Sequence, residues 1–239
     1  MRFSHYIVIF MVKVYALNLI DNMCNSKLLE LASLISDEKR DRICKFIRAE
    51  DAQRTLLGEL LIRSIITREL HISNQDIQFK YNKYGKPYID DKYGFFFNIS
   101  HANKWVVCAT DCDHIGIDIE HIKDIDMNLA RRFFSKEEYQ DLSNYDTPSS
   151  LDYFYDLWTI KEAYIKQKGK GLSIPLDSFT VKKTGAGFHV IGSGEKVYCK
   201  QYSIDKGYKL SVCANNDLYQ EDIAFENLSS VLSHINQER

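Results

Sequence analysis

Two stretches of this chain run the same course. An apolar-periodic segment, "AQRTLLGELLIRSIITREL" (52–70), is followed by a turn-like "GKPYI" and a strand-like run containing Val107, Cys108 and Ala109. Further on, "LDYFYDLWTIKEAYIKQKG" (151–169) is followed by "GLSIPL" and a run containing Val212, Cys213 and Ala214. Helix, turn and strand repeated in one order predict a duplicated α+β half. The division falls between residues 1–113 and 114–239, with a cleft at the junction near residues 112–116. A chain of 239 residues has ample core for this.

The other elements follow from local signals. Residues 27–48 read as helical, with Ser36 opening a second segment, and Asp51 is the expected cap of the next helix. "GFFFNIS", "KWVVCAT" and "HIGIDIE" read as strands, as do short runs in "SFTVKK", "GFHVIG", "KVYCKQYS" and "YKLSVCAN". Ser135 with Glu138 three residues on has the pattern of a capping box. "VKVYALNL" is the expected first strand, and the ten or so residues before it read as an upstream start or a loose lead-in. Lys13 interrupts the early apolar run, so neither a signal peptide nor a membrane span is expected there.

Composition narrows the function. A formal net charge of -2 argues against a generally basic nucleic-acid binder, so any polyanion bound is small. Six cysteines fit no paired metal spacing; reduced, mostly buried thiols in a cytoplasmic protein are the expectation. No Walker-type loop, G-x-G-x-x-G or G-x-S-x-G is present.

The carboxylates carry the strongest signal. In "GIDIE", Asp118 and Glu120 sit two apart, which on a strand puts both on one face about 6.5 Å apart and turns Ile117 and Ile119 to the core face. A solvated strand face and a Mg²⁺ site both fit that pair alone. On the 151–169 helix, Glu162 falls on the same arc as Leu151, Phe154, Tyr155, Trp158 and Ile165. A carboxylate on a packed face needs a partner, because burying it unpaired costs several kcal/mol. A metal shared with Asp118 and Glu120 is one partner; an ion pair with Lys161, Lys166 or an Arg of the first half is the other. Candidate phosphate ligands are Lys39, Arg40 and Arg42, Lys86 after Gly85 in a tight turn, and Ser100 with His101 at a strand end.

Taken in order, "YGKPYI", "FNISHANKWVVCA", "GIDIE", "FFSKEEY" and "LWTIKEAYIKQKGKGLSIPLDSF" closely resemble the 4′-phosphopantetheinyl transferases of the larger, surfactin-synthetase-activating type. The upstream "EKRDR" and "EDAQRTLLGELLIRS" fit as well, and the likeness runs from about Val14 to Ala214. It implies two similar subdomains related by a pseudo-twofold axis, the first on the nucleotide side of coenzyme A and the second carrying the acids. It implies transfer of phosphopantetheine from coenzyme A to a serine of an apo peptidyl or acyl carrier domain, releasing 3′,5′-ADP. By position, Asp118, Glu120 and Glu162 would hold Mg²⁺ (or Mn²⁺), with Glu162 and Lys166 catalytic. Lys39, Arg42, Thr55, Tyr84, Gly85, Lys86, Pro87, Ser100, His101, Lys161 and Lys166 would contact coenzyme A. A monomer is expected, acting on neither nucleic acid nor membrane. Two other classes use the same residues: a Mg²⁺-dependent nucleotide phosphodiesterase and a non-catalytic module binding coenzyme A or carrier.

Overall fold

The computed structural model describes residues 11–21, 23–185, 187–192 and 194–236; the ten-residue lead-in lies outside them. The first half runs β1 (Lys13–Asn18), α1 (Asn25–Ala32), α2 (Asp37–Ile43), α3 (Ala49–Leu70), β2 (Lys80–Tyr81), β3 (Pro87–Tyr88), β4 (Phe96–Ala102) and β5 (Trp105–Asp111). The second runs β6 (Ile115–His121), α4 (Asn128–Phe133), α5 (Lys136–Leu142), α6 (Thr147–Lys168), β7 (Thr180–Thr184), β8 (Gly187–Ile191), β9 (Tyr198–Tyr202) and β10 (Tyr208–Ala214). β11 (Ala224–Glu226) and α7 (Leu228–Ile235) complete the chain.

One large sheet has the order β11-β1-β5-β4, the other β6-β10-β9-β8-β7, and β2 and β3 pair as a two-stranded ribbon. β5 with its Val-Cys-Ala pairs antiparallel with β1, and β10 with its own pairs antiparallel with β6. The echo in the sequence is therefore an echo of position. Strand alternation sends alternate side chains to opposite layers. Val14, Ala16, Val107 and Ala109 meet Ile115, Ile117, Ile119 and Val212 in a buried core between the sheets. Tyr15, Leu17 and Cys108 turn instead into the core beneath α3. At about 1.5–3 kcal/mol per fully buried aliphatic side chain, the inter-sheet core binds the halves more strongly than any exposed polar contact between them.

Three expectations change. β11 pairs parallel with β1, and Val231 and Ile235 of α7 are buried in the first half's core. The C-terminal segment thus packs on the first half, although the expected second subdomain ran to 239. α3 begins two residues before Asp51, with Arg48 as its N-cap; Asp51 lies in the first turn and pairs with Arg54. The cysteines are all free, but Cys24, Cys44 and Cys112 are exposed and only Cys108 and Cys213 fully buried. Short polar connections hold the first and third of these, where burial is not required. The capping box at Ser135 and Glu138 forms as expected. Among the described residues, no helix is long and apolar enough to cross a membrane.

Candidate active site

β4 and β6 are edge strands of different sheets, and they meet at one corner of the molecule. Asn98 and Ser100, two apart on β4, both turn toward β6. Asn98 Oδ1 accepts from the Ile117 N–H at 2.9 Å, and Ser100 Oγ donates to Asp118 Oδ1 at 3.0 Å. Two β4 side chains thus serve the strand edge that a neighbouring strand would otherwise satisfy.

α6 crosses β6 with almost no gap. A Cβ on Gly116 would fall 2.0 Å from Ala163 O and 2.4 Å from Gln167 N, so only glycine lets the helix lie so close. That approach puts the Asp118 and Glu120 face under the helix. Lys166 Nζ reaches Asp118 Oδ1 at 2.5 Å and Ser100 Oγ at 3.1 Å. Asp118 is 3% exposed, and its Oδ2 is buried without a hydrogen-bond partner among the described residues.

The other two acids crowd the same place. Burial, with Asp118 and Glu162 nearby, pushes the Glu120 carboxyl up to about 7, against the opposing pull of Lys166 and the Trp158 side chain. Burial and Asp118 likewise raise Glu162, against the opposing pull of Lys166. Burial raises Asp118 too, although Lys166 and Ser100 oppose it. Three carboxylates share one ammonium, so the cluster is short of positive charge.

Its fit to a metal follows from the donors. A hard dication takes few carboxylates plus water and phosphate oxygens, and a buried, unpartnered carboxylate oxygen is a vacant donor of that kind. As the side chains stand, no three or more His, Cys, Asp or Glu groups among the described residues close around one point, and Lys166 holds the cation position at Asp118. The residues fit a cation in charge and donor type, with phosphate oxygens left to complete the shell.

On the other side of β4, His101 follows Phe97 and Ile99 toward α3. A cavity of about 180 Å³ there is lined by Lys39, Arg54, Thr55, Pro87, Ile99 and His101. Lys39, Glu59 and Phe79 also border a larger cavity of about 750 Å³, to which Arg42, Lys45 and Arg63 contribute. Lys39 Nζ stands 3.7 Å from Glu59 Oε2, and Glu59 Oε1 is held by Arg63 Nε at 2.9 Å. A basic, aromatic-walled hollow therefore lies one strand away from the acid cluster.

Two family models match this chain. Residues 22–113 match "4′-phosphopantetheinyl transferase, N-terminal" and residues 114–213 match "4′-phosphopantetheinyl transferase superfamily". The 4′-phosphopantetheinyl transferase Sfp of Bacillus subtilis (strain 168) is 47% identical over 203 residues, covering 84% of this chain and 91% of that protein. The transferase ffp of Bacillus subtilis is 42% identical over 92% of this chain and 100% of its own, and psf-1 of Bacillus pumilus 37% over 94% and 99%.

The chain belongs to the 4′-phosphopantetheinyl transferase family.

Within this transferase, the site residues expected from the sequence fall into three places. Asp118, Glu120, Glu162, Lys166 and Ser100 converge at the β4–β6 corner. Lys39, Arg42, Thr55, Pro87 and His101 line the two cavities around α2, α3 and β4. Ser100 and His101 are neighbours in sequence, yet alternation sends them to opposite sides of β4. Tyr84 and Gly85 form the exposed β2–β3 turn, Gly85 at φ 86°. Asn82 builds that turn, its Oδ1 accepting from the Tyr84 and Lys86 N–H groups.

Two lysines stand apart. Lys161 is fully buried, its Nζ donating to Leu176 O and Phe179 O at 2.7 Å and pairing with Glu138 at 2.8 Å. It lies about 100° round the helix from Glu162 and points away from the acids, so the expected contact with coenzyme A does not fit its place. Lys86 Nζ donates to two backbone carbonyls, and burial pushes its amine down to about 8. Arg54, Asn82, Asn98 and Trp158 are the site residues that sequence reasoning missed. Asn98 had a usable signal, since it shares strand alternation with Ser100; Trp158 was read only as part of an apolar arc.

Proposed function

We propose that this transferase works at the β4–β6–α6 corner, moving phosphopantetheine from coenzyme A to the serine hydroxyl of an apo peptidyl or acyl carrier domain. Coenzyme A lies with its nucleotide toward Lys39, Arg42, Thr55, His101 and the Tyr84–Pro87 turn, and its pyrophosphate toward Lys166 and Ser100. Asp118, Glu120 and Glu162 would hold Mg²⁺, or Mn²⁺ in its place. When bound, the metal would polarise the pyrophosphate and offset charge on the leaving group.

The chain's own groups handle positioning and protons, which is most of what phosphoryl transfer asks of a protein. Glu162 accepts the carrier serine proton, directly or through a water it holds, and burial beside Asp118 raises its carboxyl, which strengthens it as a base. The serine oxygen forms its bond to the phosphorus bearing pantetheine as the bond to the departing 3′,5′-ADP breaks. The Lys166 ammonium stands by the leaving oxygen. Asp118 and Ser100 fix that ammonium. Both halves of the cleft come from one chain, which supports a monomer, and six free thiols suit the cytoplasm.

The observation carrying this reading is the under-neutralised acid cluster with the unpartnered Asp118 oxygen, one strand away from a basic cavity. The test is the intact mass of an apo peptidyl carrier domain after incubation with the protein, coenzyme A and Mg²⁺. The expected result is the gain of one phosphopantetheine, abolished by EDTA. An unchanged carrier mass with coenzyme A still bound contradicts the reading, as does cleavage of coenzyme A by water without carrier.

A further inference from the structure

The β2–β3 hairpin belongs to the first half, yet its turn is fastened to the second. Asn82 Nδ2 donates to Gly169 O at 2.7 Å, just beyond the end of α6. Lys86 Nζ donates to Lys166 O at 2.6 Å and to Ile115 O at 2.8 Å. Those two carbonyls belong to the elements that carry the site. α6 holds Glu162 and Lys166; β6 begins at Ile115 and holds Asp118 and Glu120.

The bonds fall where α6 and β6 lie closest, at Gly116. Gly169, at φ 64°, is packed so tightly that a Cβ would meet Asn82 Nδ2 at 3.2 Å and Lys86 Cδ at 3.3 Å. Lys166 O is among the last carbonyls of its helix, which lack i+4 partners, and a cation there also meets the negative end of the helix dipole. An ammonium has three N–H donors, and two of those on Lys86 are committed to backbone.

We propose that Lys86 is a positioning residue: from the first half's hairpin it pins the last turn of α6 to the start of β6, and so sets the contact between Lys166 and Asp118. Its role is thus different from the phosphate contact that the family resemblance assigns to it. The Tyr84–Pro87 turn carries the pin at its end, so the nucleotide side and the acid side of the cleft keep one register. The inference rests on the reading that Lys166 and Asp118 serve the transfer.

Two substitutions separate a pin from a phosphate ligand. Lys86→Met keeps the length of the side chain and removes its donors. Lys86→Arg keeps a cation that binds phosphate at least as well, but a planar fork does not place one nitrogen between two carbonyls. For each folded variant, kcat with a carrier domain and the Kd for coenzyme A by calorimetry are measured beside the wild type. The pin predicts that kcat falls about tenfold or more in both while Kd stays within about threefold. A coenzyme A affinity weakened about tenfold in either variant, or a wild-type kcat in Lys86→Arg, overturns it. If Lys86→Met does not fold, Lys86→Arg decides alone. Amide exchange at residues 115–118 and 166–169 supplies a readout free of the transfer assay: Lys86→Arg speeds it if the pin holds, and unchanged exchange overturns the pin. A wild type that transfers nothing while that exchange responds counts against the proposed function and not against the pin.

Discussion

β1 and β6 are each antiparallel to the strand bearing Val-Cys-Ala and each lies beneath a helix of 22 residues, although β6 is an edge strand and β1 is flanked on its other side by β11. In register, Leu17 opposite Val106 corresponds to Asp118 opposite Ser211. Leu17 is 2% exposed and packs in the core under α3; Asp118 is as deeply buried, but under α6 and beside two more acids. One scaffold position is filled by an apolar side chain in one half and by an under-neutralised acid in the other. The helices repeat the lesson. Arg63 of α3 and Lys161 of α6 occupy the same position, and each is buried against a glutamate, Glu59 or Glu138. Those charges are matched and hydrogen-bonded, as structural ion pairs are. The Asp118, Glu120 and Glu162 cluster is not matched, and that imbalance is what the proposed function rests on.

The comparison can be broken most sharply at Asp118. Asp118→Asn is expected to lower carrier transfer about 10³-fold, the scale of losing a main electrostatic group, with little change in Tm. A retained rate would make the acid face structural. Lys161→Met leaves Glu138 buried without its cation and is expected to cost about 3–5 kcal/mol in a urea titration. Adding Glu138→Gln should recover a large part of that. Coenzyme A affinity of the folded Lys161→Met protein should match the wild type; a weakened one would return Lys161 to the cleft.

Leu17→Ala should behave in the opposite way to Asp118→Asn: about 2–5 kcal/mol lost in stability, with kcat per folded molecule unchanged. The smallest effect is a pH slope. Glu120 is raised from 4.5 to about 7 by burial and its acid neighbours, so the native state holds a proton there that the unfolded chain gives up earlier. That contribution is complete below pH 4.5 and is lost as pH rises toward about 7. In EDTA, Tm should fall by a few degrees from pH 5 to pH 8, and Glu120→Gln should flatten the fall. A parallel slope in the variant would place the titration elsewhere.

Much of the plan was legible because it depends on local patterns. The strand-like runs "HIGIDIE" and "KWVVCAT" became strands β6 and β5, helical spacing gave α3 and α6, and Ser135 with Glu138 gave the cap of α5. Glu162 inward was readable from its arc. What stayed hidden depends on contacts between distant segments. Lys161 and Glu162 are neighbours in one motif, and spacing alone does not tell which meets the acids and which meets Glu138. Lys86 looks like a ligand in a glycine turn until the carbonyls of Ile115 and Lys166 are seen beside it. The return of β11 and α7 to the first half has no signal in their short length.

The central claim, that the second half's acids hold a cation on the pyrophosphate of coenzyme A, is tested most directly by titrating Mn²⁺ into the protein with coenzyme A bound, followed by calorimetry for the wild type and Glu162→Gln. The account predicts one Mn²⁺ per chain, bound about tenfold or more weaker in the variant. Equal affinity in the two proteins, or binding that does not need coenzyme A, would contradict it.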